Sequence, residues 1–171
     1  MKKIALLFFS IFICQILNAQ KMELGIMAFP NLLYSSSIDE ATTIKLNPNG
    51  SGLKVQYNTQ FNNLPFQNTF GLELSTVDWG NQILSRIGII KSFPNEQWRI
   101  EAMLLNGLAL YVEQPAYVFG LETNVTYYIS INQKSRIKIS AGLRYTQNPA
   151  YKKVGLYRFI DMPVSVSWIV R

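Results

Sequence analysis

The side chains best equipped for chemistry are carboxylates and cations dispersed through the chain: Glu23, Glu73, Glu101 and Glu122 against Lys54, Arg86, Arg99, Arg136, Lys138 and Arg144. Gathered in a site of low dielectric, such groups can transfer protons, select ions or simply neutralise one another. The rest of the composition narrows the choice. There is no histidine, and the one cysteine is Cys14. Hydrolytic sets that use a histidine base, Ser-His-Asp or Asp-His, are therefore impossible. No glycine-rich phosphate loop, nucleophile elbow or metal-ligand cluster is present. Asp39, Glu40 and Asp78 are too sparse for a calcium site, and Asn49-Gly50-Ser51-Gly52 has the composition of a turn. No cofactor and no enzymatic activity are expected. Asn124-Val125-Thr126 fits a glycosylation pattern but lies inside an extended segment, which discounts it.

What positions these charges is clearest between Tyr117 and Thr146. Phe119, Leu121, Thr123, Val125, Tyr127, Ile129 and Ile131 alternate with Val118, Gly120, Glu122, Asn124, Thr126, Tyr128 and Ser130. After the turn Asn132-Gln133-Lys134-Ser135, the residues Ile137, Ile139, Ala141, Leu143 and Tyr145 alternate with Arg136, Lys138, Ser140, Gly142, Arg144 and Thr146. A period of two is the mark of a strand. Each arm extends over about 10 to 14 residues, where ordinary strands run to about 5 or 6. Tilted strands that cross a bilayer need about 9 to 11, so the hairpin is expected to be transmembrane.

The same rhythm recurs along the chain. Met22–Phe29, Gly52–Phe61, Gln67–Val77, Gln82–Lys91 and Gln97–Leu105 are expected strands, and Gly155–Val170 is the last, interrupted near Pro163. With the two arms above, the total is eight. Asn31–Ser51 reads as a long polar loop, and the pattern slips near Asn106-Gly107, where a bulge or the end of the membrane span is expected. One face of the strands carries Leu53, Val55, Phe70, Leu72, Ile100, Leu121, Val125, Ile139, Leu143 and Val166, the expected lipid-facing wall. Asn124, on the opposite face, is expected to tolerate polar exchange.

The charges all fall on that opposite face. An eight-stranded barrel is only wide enough to be filled by side chains, and charges enclosed there must pair or cost several kcal/mol each. An internal network that fills the lumen is thus the expected role of the ten charged residues named at the outset. An ion pathway would need a wider barrel.

The N-terminus reads as a secretory signal peptide: Met1-Lys2-Lys3, then the short apolar run Ile4–Leu17, then Ala19 as the expected cleavage point. Residues 1–19 would be removed and 20–171 would form a single domain, free of cysteine and hence of disulfides. Charged side chains make up 15% of the chain, against about 25% in soluble domains. The formal net charge is +6, of which Lys2 and Lys3 supply two, and no run of Lys or Arg points to nucleic acid.

Connections alternate in character. Those at Asn62–Phe66, Ser92–Glu96 and Asn132–Ser135 are short, whereas Asn31–Ser51, Asn106–Ala116 and Gln147–Val154 are longer or more polar. Trp98, Tyr127 and Trp168 fall near the short-turn ends, Trp79 and Tyr145 near the others, as two aromatic girdles would.

With these features the chain resembles the small eight-stranded outer-membrane β-barrel proteins of Gram-negative bacteria. The resemblance implies an all-β, eight-stranded antiparallel up-and-down transmembrane β-barrel, integral to the outer membrane, with both termini periplasmic. It implies outer-membrane lipid, and other outer-membrane proteins, as partners. The departure is the C-terminus: such barrels often finish on an aromatic residue, and this chain ends Trp168-Ile169-Val170-Arg171. The function expected is a non-enzymatic structural or interaction protein, or a small subunit of a larger outer-membrane complex. The alternatives are a narrow pore or transporter for small solutes, and a secreted lipocalin-like barrel with the reverse facing, apolar inside and polar outside.

Overall fold

The computed structural model describes residues 21–29, 32–38, 41–47, 50–59, 65–77, 80–94, 97–110, 115–148 and 156–170. The leader read over residues 1–19 and the girdle residue Trp79 lie outside them. Every regular element described is a strand: β1 (Lys21–Phe29), β2 (Leu32–Ile38), β3 (Ala41–Asn47), β4 (Gly50–Thr59), β5 (Gln67–Val77), β6 (Gly80–Ser92), β7 (Trp98–Leu110), β8 (Pro115–Ser130), β9 (Ser135–Asn148), β10 (Leu156–Asp161) and β11 (Val164–Val170). Each pairs antiparallel with its neighbours.

The ring runs β11-β1-β4-β5-β6-β7-β8-β9 and closes where β11 also pairs with β9. This is the expected eight-stranded, all-β, up-and-down barrel. Closure removes the exposed sheet edges that an open sheet of this length would leave. The period-two sequence pattern becomes the two sides of the wall. On β8 the burial alternates almost without a break from Pro115 to Ser130, odd-numbered residues outward and even-numbered residues inward.

The remaining strands, β10, β2 and β3, extend the wall beyond the ring at the end away from the short turns. There β10 pairs with the far half of β9 and with β2, and β2 pairs with β3. The polar loop expected over Asn31–Ser51 is therefore largely strand. Its Ser35-Ser36-Ser37 run conceals the ladder, because a strand above the apolar band need not carry an apolar face. The backbone still pairs from Leu32↔Asn47 to Ile38↔Ala41.

Nor does β7 bulge at Asn106-Gly107. Its register with β6 and β8 is continuous through both residues. The apparent slip is one of polarity, not of phase: Leu105 is apolar and buried inside, and Asn106 is polar and exposed outside. Gly107 is there because a Cβ at that position would collide with the Ile83 carbonyl oxygen on β6. As β7 and β8 reach Leu110 and Pro115, the long connection expected over Asn106–Ala116 also shrinks to the tip between them.

Two expected local features are present. The ladder of the last strand is interrupted at Met162-Pro163, where the Pro163 carbonyl accepts from the Gly142 amide at 3.1 Å. In the β8–β9 turn, Asn132 Oδ1 accepts from the amides of Lys134 at 2.8 Å and Ser135 at 2.7 Å. That is the local bonding for which asparagine is favoured in turns.

Candidate functional site in the barrel interior

Inward-pointing residues of the eight strands leave the charges facing one another across a narrow lumen. Glu73 on β5 and Glu122 on β8 hold two arginines between them. Arg144 on β9 grips Glu73 with Nη1–Oε1 at 2.7 Å and Nη2–Oε2 at 2.8 Å, and donates from Nε to Glu122 Oε2 at 2.6 Å. Arg86 on β6 donates to the same two carboxylates. Asn124 Nδ2 donates to Glu122 Oε1 at 2.6 Å. Fork-to-carboxylate pairing of this kind is the strong form of the charge-assisted hydrogen bond.

A second group is built on lysine. Lys138 Nζ on β9 lies 2.8 Å from Glu23 Oε2 on β1 and 2.6 Å from Glu101 Oε1 on β7. Lys54 Nζ on β4 lies 3.2 Å from Glu23 Oε1 and donates to Ser165 Oγ at 2.8 Å. Ser165 Oγ in turn lies 2.5 Å from Ser140 Oγ. All these ionic side chains are buried. The pairs Arg86–Glu122, Arg144–Glu73, Lys138–Glu23 and Lys138–Glu101 join strands that are not neighbours in the ring, so they tie separate parts of the wall together. Beyond them toward the long end, Leu84, Met103, Leu105, Ala109 and Val118 form an apolar cluster inside the barrel, and Phe29 packs under the Arg144 guanidinium, 4.8 Å from the ring centre.

Of the ten charges expected in one network, eight are brought into pairs. Arg99 and Arg136 are not. Both sit at the short-turn mouth, Arg99 buried and Arg136 half-buried, and neither has a carboxylate partner among the described residues. Facing inward is necessary for membership but not sufficient, since a residue at a strand end meets the mouth and not the lumen. One member escapes the sequence reading. Asp161 is buried with Oδ1 3.8 Å from Arg144 Nε. Its signal is alternation with the outward Ile160 and Met162, which the proline interruption two residues on obscures. Asn124, expected to tolerate polar exchange, is buried and orients Glu122.

Outside, Leu53, Leu72, Ile100, Leu121, Val125, Ile139, Leu143 and Val166 are exposed, and Val55 and Phe70 are half-buried between neighbours on the same surface. Leu121 is 57% and Val125 51% accessible, values that mark an apolar side chain with nothing packed over it. Trp98 and Tyr127 pair across β7 and β8 with ring centres 4.8 Å apart, Trp168 is exposed on β11, and Tyr145 is half-buried on β9.

What can this interior do? Each carboxylate of the paired groups is opposed by a cation, so none is left as a lone general base. The contact of Lys54 with Ser165 has the elements of a Ser-Lys pair. Yet the amine donates to the hydroxyl while held by Glu23, and so it is not placed as a base. The geometry is that of a lumen closed by cross-bracing.

No family model and no curated protein matches the chain. Among solved structures it is similar to Neisserial surface protein A (NspA), with a TM-score of 0.51 and 12% identity over 86% of this chain and 94% of that one. The chain has the fold of the small outer-membrane β-barrels. At lower structural similarity stand Ail, the attachment invasion locus protein of Yersinia pestis (TM-score 0.49, 12% identity, 86% of this chain and 97% of that chain), and the outer membrane protein OprG from Pseudomonas aeruginosa (TM-score 0.45, 9% identity, 90% and 96%). Likeness to NspA at this identity fixes the architecture, and what this barrel does must come from its own residues.

Proposed function

We propose that the protein is a non-enzymatic integral barrel of the bacterial outer membrane, cleaved of residues 1–19 and working as a structural or interaction protein or as a small subunit of a larger outer-membrane complex. The observation that carries this is the pairing of two surfaces: an apolar outer wall and an interior closed by ion pairs that cross the lumen. A lipocalin-like ligand carrier would need the opposite facing. A pore would need free volume where Arg86 and Arg144 meet Glu73 and Glu122. The absence of histidine supports the non-enzymatic role.

In the proposed orientation the short turns face the periplasm, with both termini on that side, and the β2–β3 hairpin projects outward. The partners are outer-membrane lipid along the wall and other outer-membrane proteins, with no role for nucleic acid. Planar-bilayer recording of the folded protein tests the sealed lumen, and no unitary conductance is expected. Steady ion-selective steps would replace the structural role with the narrow-pore alternative. For the subunit role, gentle extraction from membranes is expected to recover the protein in a complex larger than the monomer, and recovery of monomer alone would count against it.

A further inference from the structure

The short-turn mouth of the barrel departs from the neutralised interior. Lys54, Arg86, Lys138 and Arg144 each pair with a carboxylate. Arg99, only 5% exposed, has none among the described residues. It donates from Nη1 to Gln67 Oε1 at 3.1 Å and stacks its guanidinium 4.3 Å from the centre of the Tyr128 ring. Among the described residues its Nε–H meets no acceptor, and the hydroxyl of Tyr128, itself 5% exposed, has no partner either. A buried guanidinium without a counter-charge is costly, and buried donors without acceptors add to that cost.

Both side chains line one small cavity together with Lys21, Lys134 and Arg136, and no Asp or Glu is among the described residues of its wall. The cavity is about 10 Å³, room for a single oxygen-sized atom. Lys134 stands exposed at its rim and Arg136 half-exposed. Asn58 Oδ1, an acceptor, is also buried there without a donor among the described residues. Three cations, Arg99, Lys134 and Arg136, with orphaned donors and one orphaned acceptor, describe the complement of an anion that still carries a proton.

We propose that the short-turn mouth is a binding site for a phosphate group. One protonated phosphate oxygen enters the cavity, accepts from Arg99 Nε–H and the Tyr128 hydroxyl, and donates to Asn58 Oδ1. The remaining oxygens stay at the rim with Lys134 and Arg136. A free phosphate and the headgroup of a phosphomonoester lipid present the same chemistry. This site requires the barrel to be folded, but it does not depend on the lumen being sealed. A conducting barrel would thus leave the proposal standing.

The test follows the Arg99 Nε–Hε resonance in arginine-labelled protein folded in uncharged maltoside micelles, titrated with inorganic phosphate. A saturable shift is expected, with apparent affinity about tenfold or more weaker in a Lys134→Ala/Arg136→Ala variant and in Tyr128→Phe. The rim variant alters only accessible side chains, so it keeps the test valid if Tyr128→Phe fails to fold. A parallel arm uses phosphatidylcholine nanodiscs with and without phosphatidic acid. A shift there without added phosphate assigns the group to a lipid headgroup, and a shift with inorganic phosphate alone assigns it to a free anion. No saturable shift in either arm overturns the proposal. So does an equal response to chloride or sulfate at matched ionic strength, or an affinity unchanged in the variants that fold.

Discussion

Glu122 is the side chain on which the interior most depends, because it accepts from Arg86, Arg144 and Asn124 together. Glu122→Ala would leave two buried guanidinium groups sharing Glu73 and the more distant Asp161. The expected loss is about 3–5 kcal/mol, the usual cost of removing one partner of a buried pair, measured as the urea midpoint of folding in micelles. By contrast, Arg136→Ala, at the half-exposed mouth and outside any ion pair among the described residues, should move that midpoint by no more than about 0.5 kcal/mol. Parity makes much of this interior legible in the sequence: alternation alone places Glu122, Lys138 and Arg144 inside. It cannot say that Arg144 on β9 reaches Glu73 on β5, because cross-lumen partners depend on the stagger of the closed sheet. Nor does it separate Arg99 and Arg136 from the network, since both share the inward parity and differ only in height along the wall.

Among the strands, legibility tracks the apolar band. The extent of β5 is readable to the residue, and β8 and β9 to within two at each end, because outward apolar and inward polar residues alternate through them. Where a strand leaves that band the alternation has no physical cause, and β2 and β3 are unreadable for that reason. The β7 strand misleads differently. Its inner face turns apolar at Met103 and Leu105 to feed the internal cluster, and so mimics a change of phase. Gly107→Ala forces a methyl against the Ile83 carbonyl and should destabilise folding by about 1–3 kcal/mol, again by urea titration. A true bulge at that position would instead accommodate alanine. Val125→Arg, in the middle of the outer face of β8, should cost about 2–4 kcal/mol of folding into bilayers if that face meets lipid. Little or no effect on bilayer folding would place Val125 away from the hydrocarbon.

For the whole molecule, architecture and task separate. The ring, its strand count and its polar interior are consequences of hairpin rhythm and of the need to pair enclosed charge. Neither says what the barrel meets, and the residues that bear on that, at the mouth and on the β2–β3 extension, are those the rhythm does not organise. The proposed role requires above all that the apolar wall face lipid. Residues 20–171 contain no cysteine, so a single Val125→Cys substitution can carry an environment-sensitive fluorophore in protein folded into vesicles. Quenching by lipids brominated along the acyl chain, with negligible quenching by aqueous iodide, is the result expected. Efficient quenching by iodide with none by brominated lipid would contradict the membrane barrel.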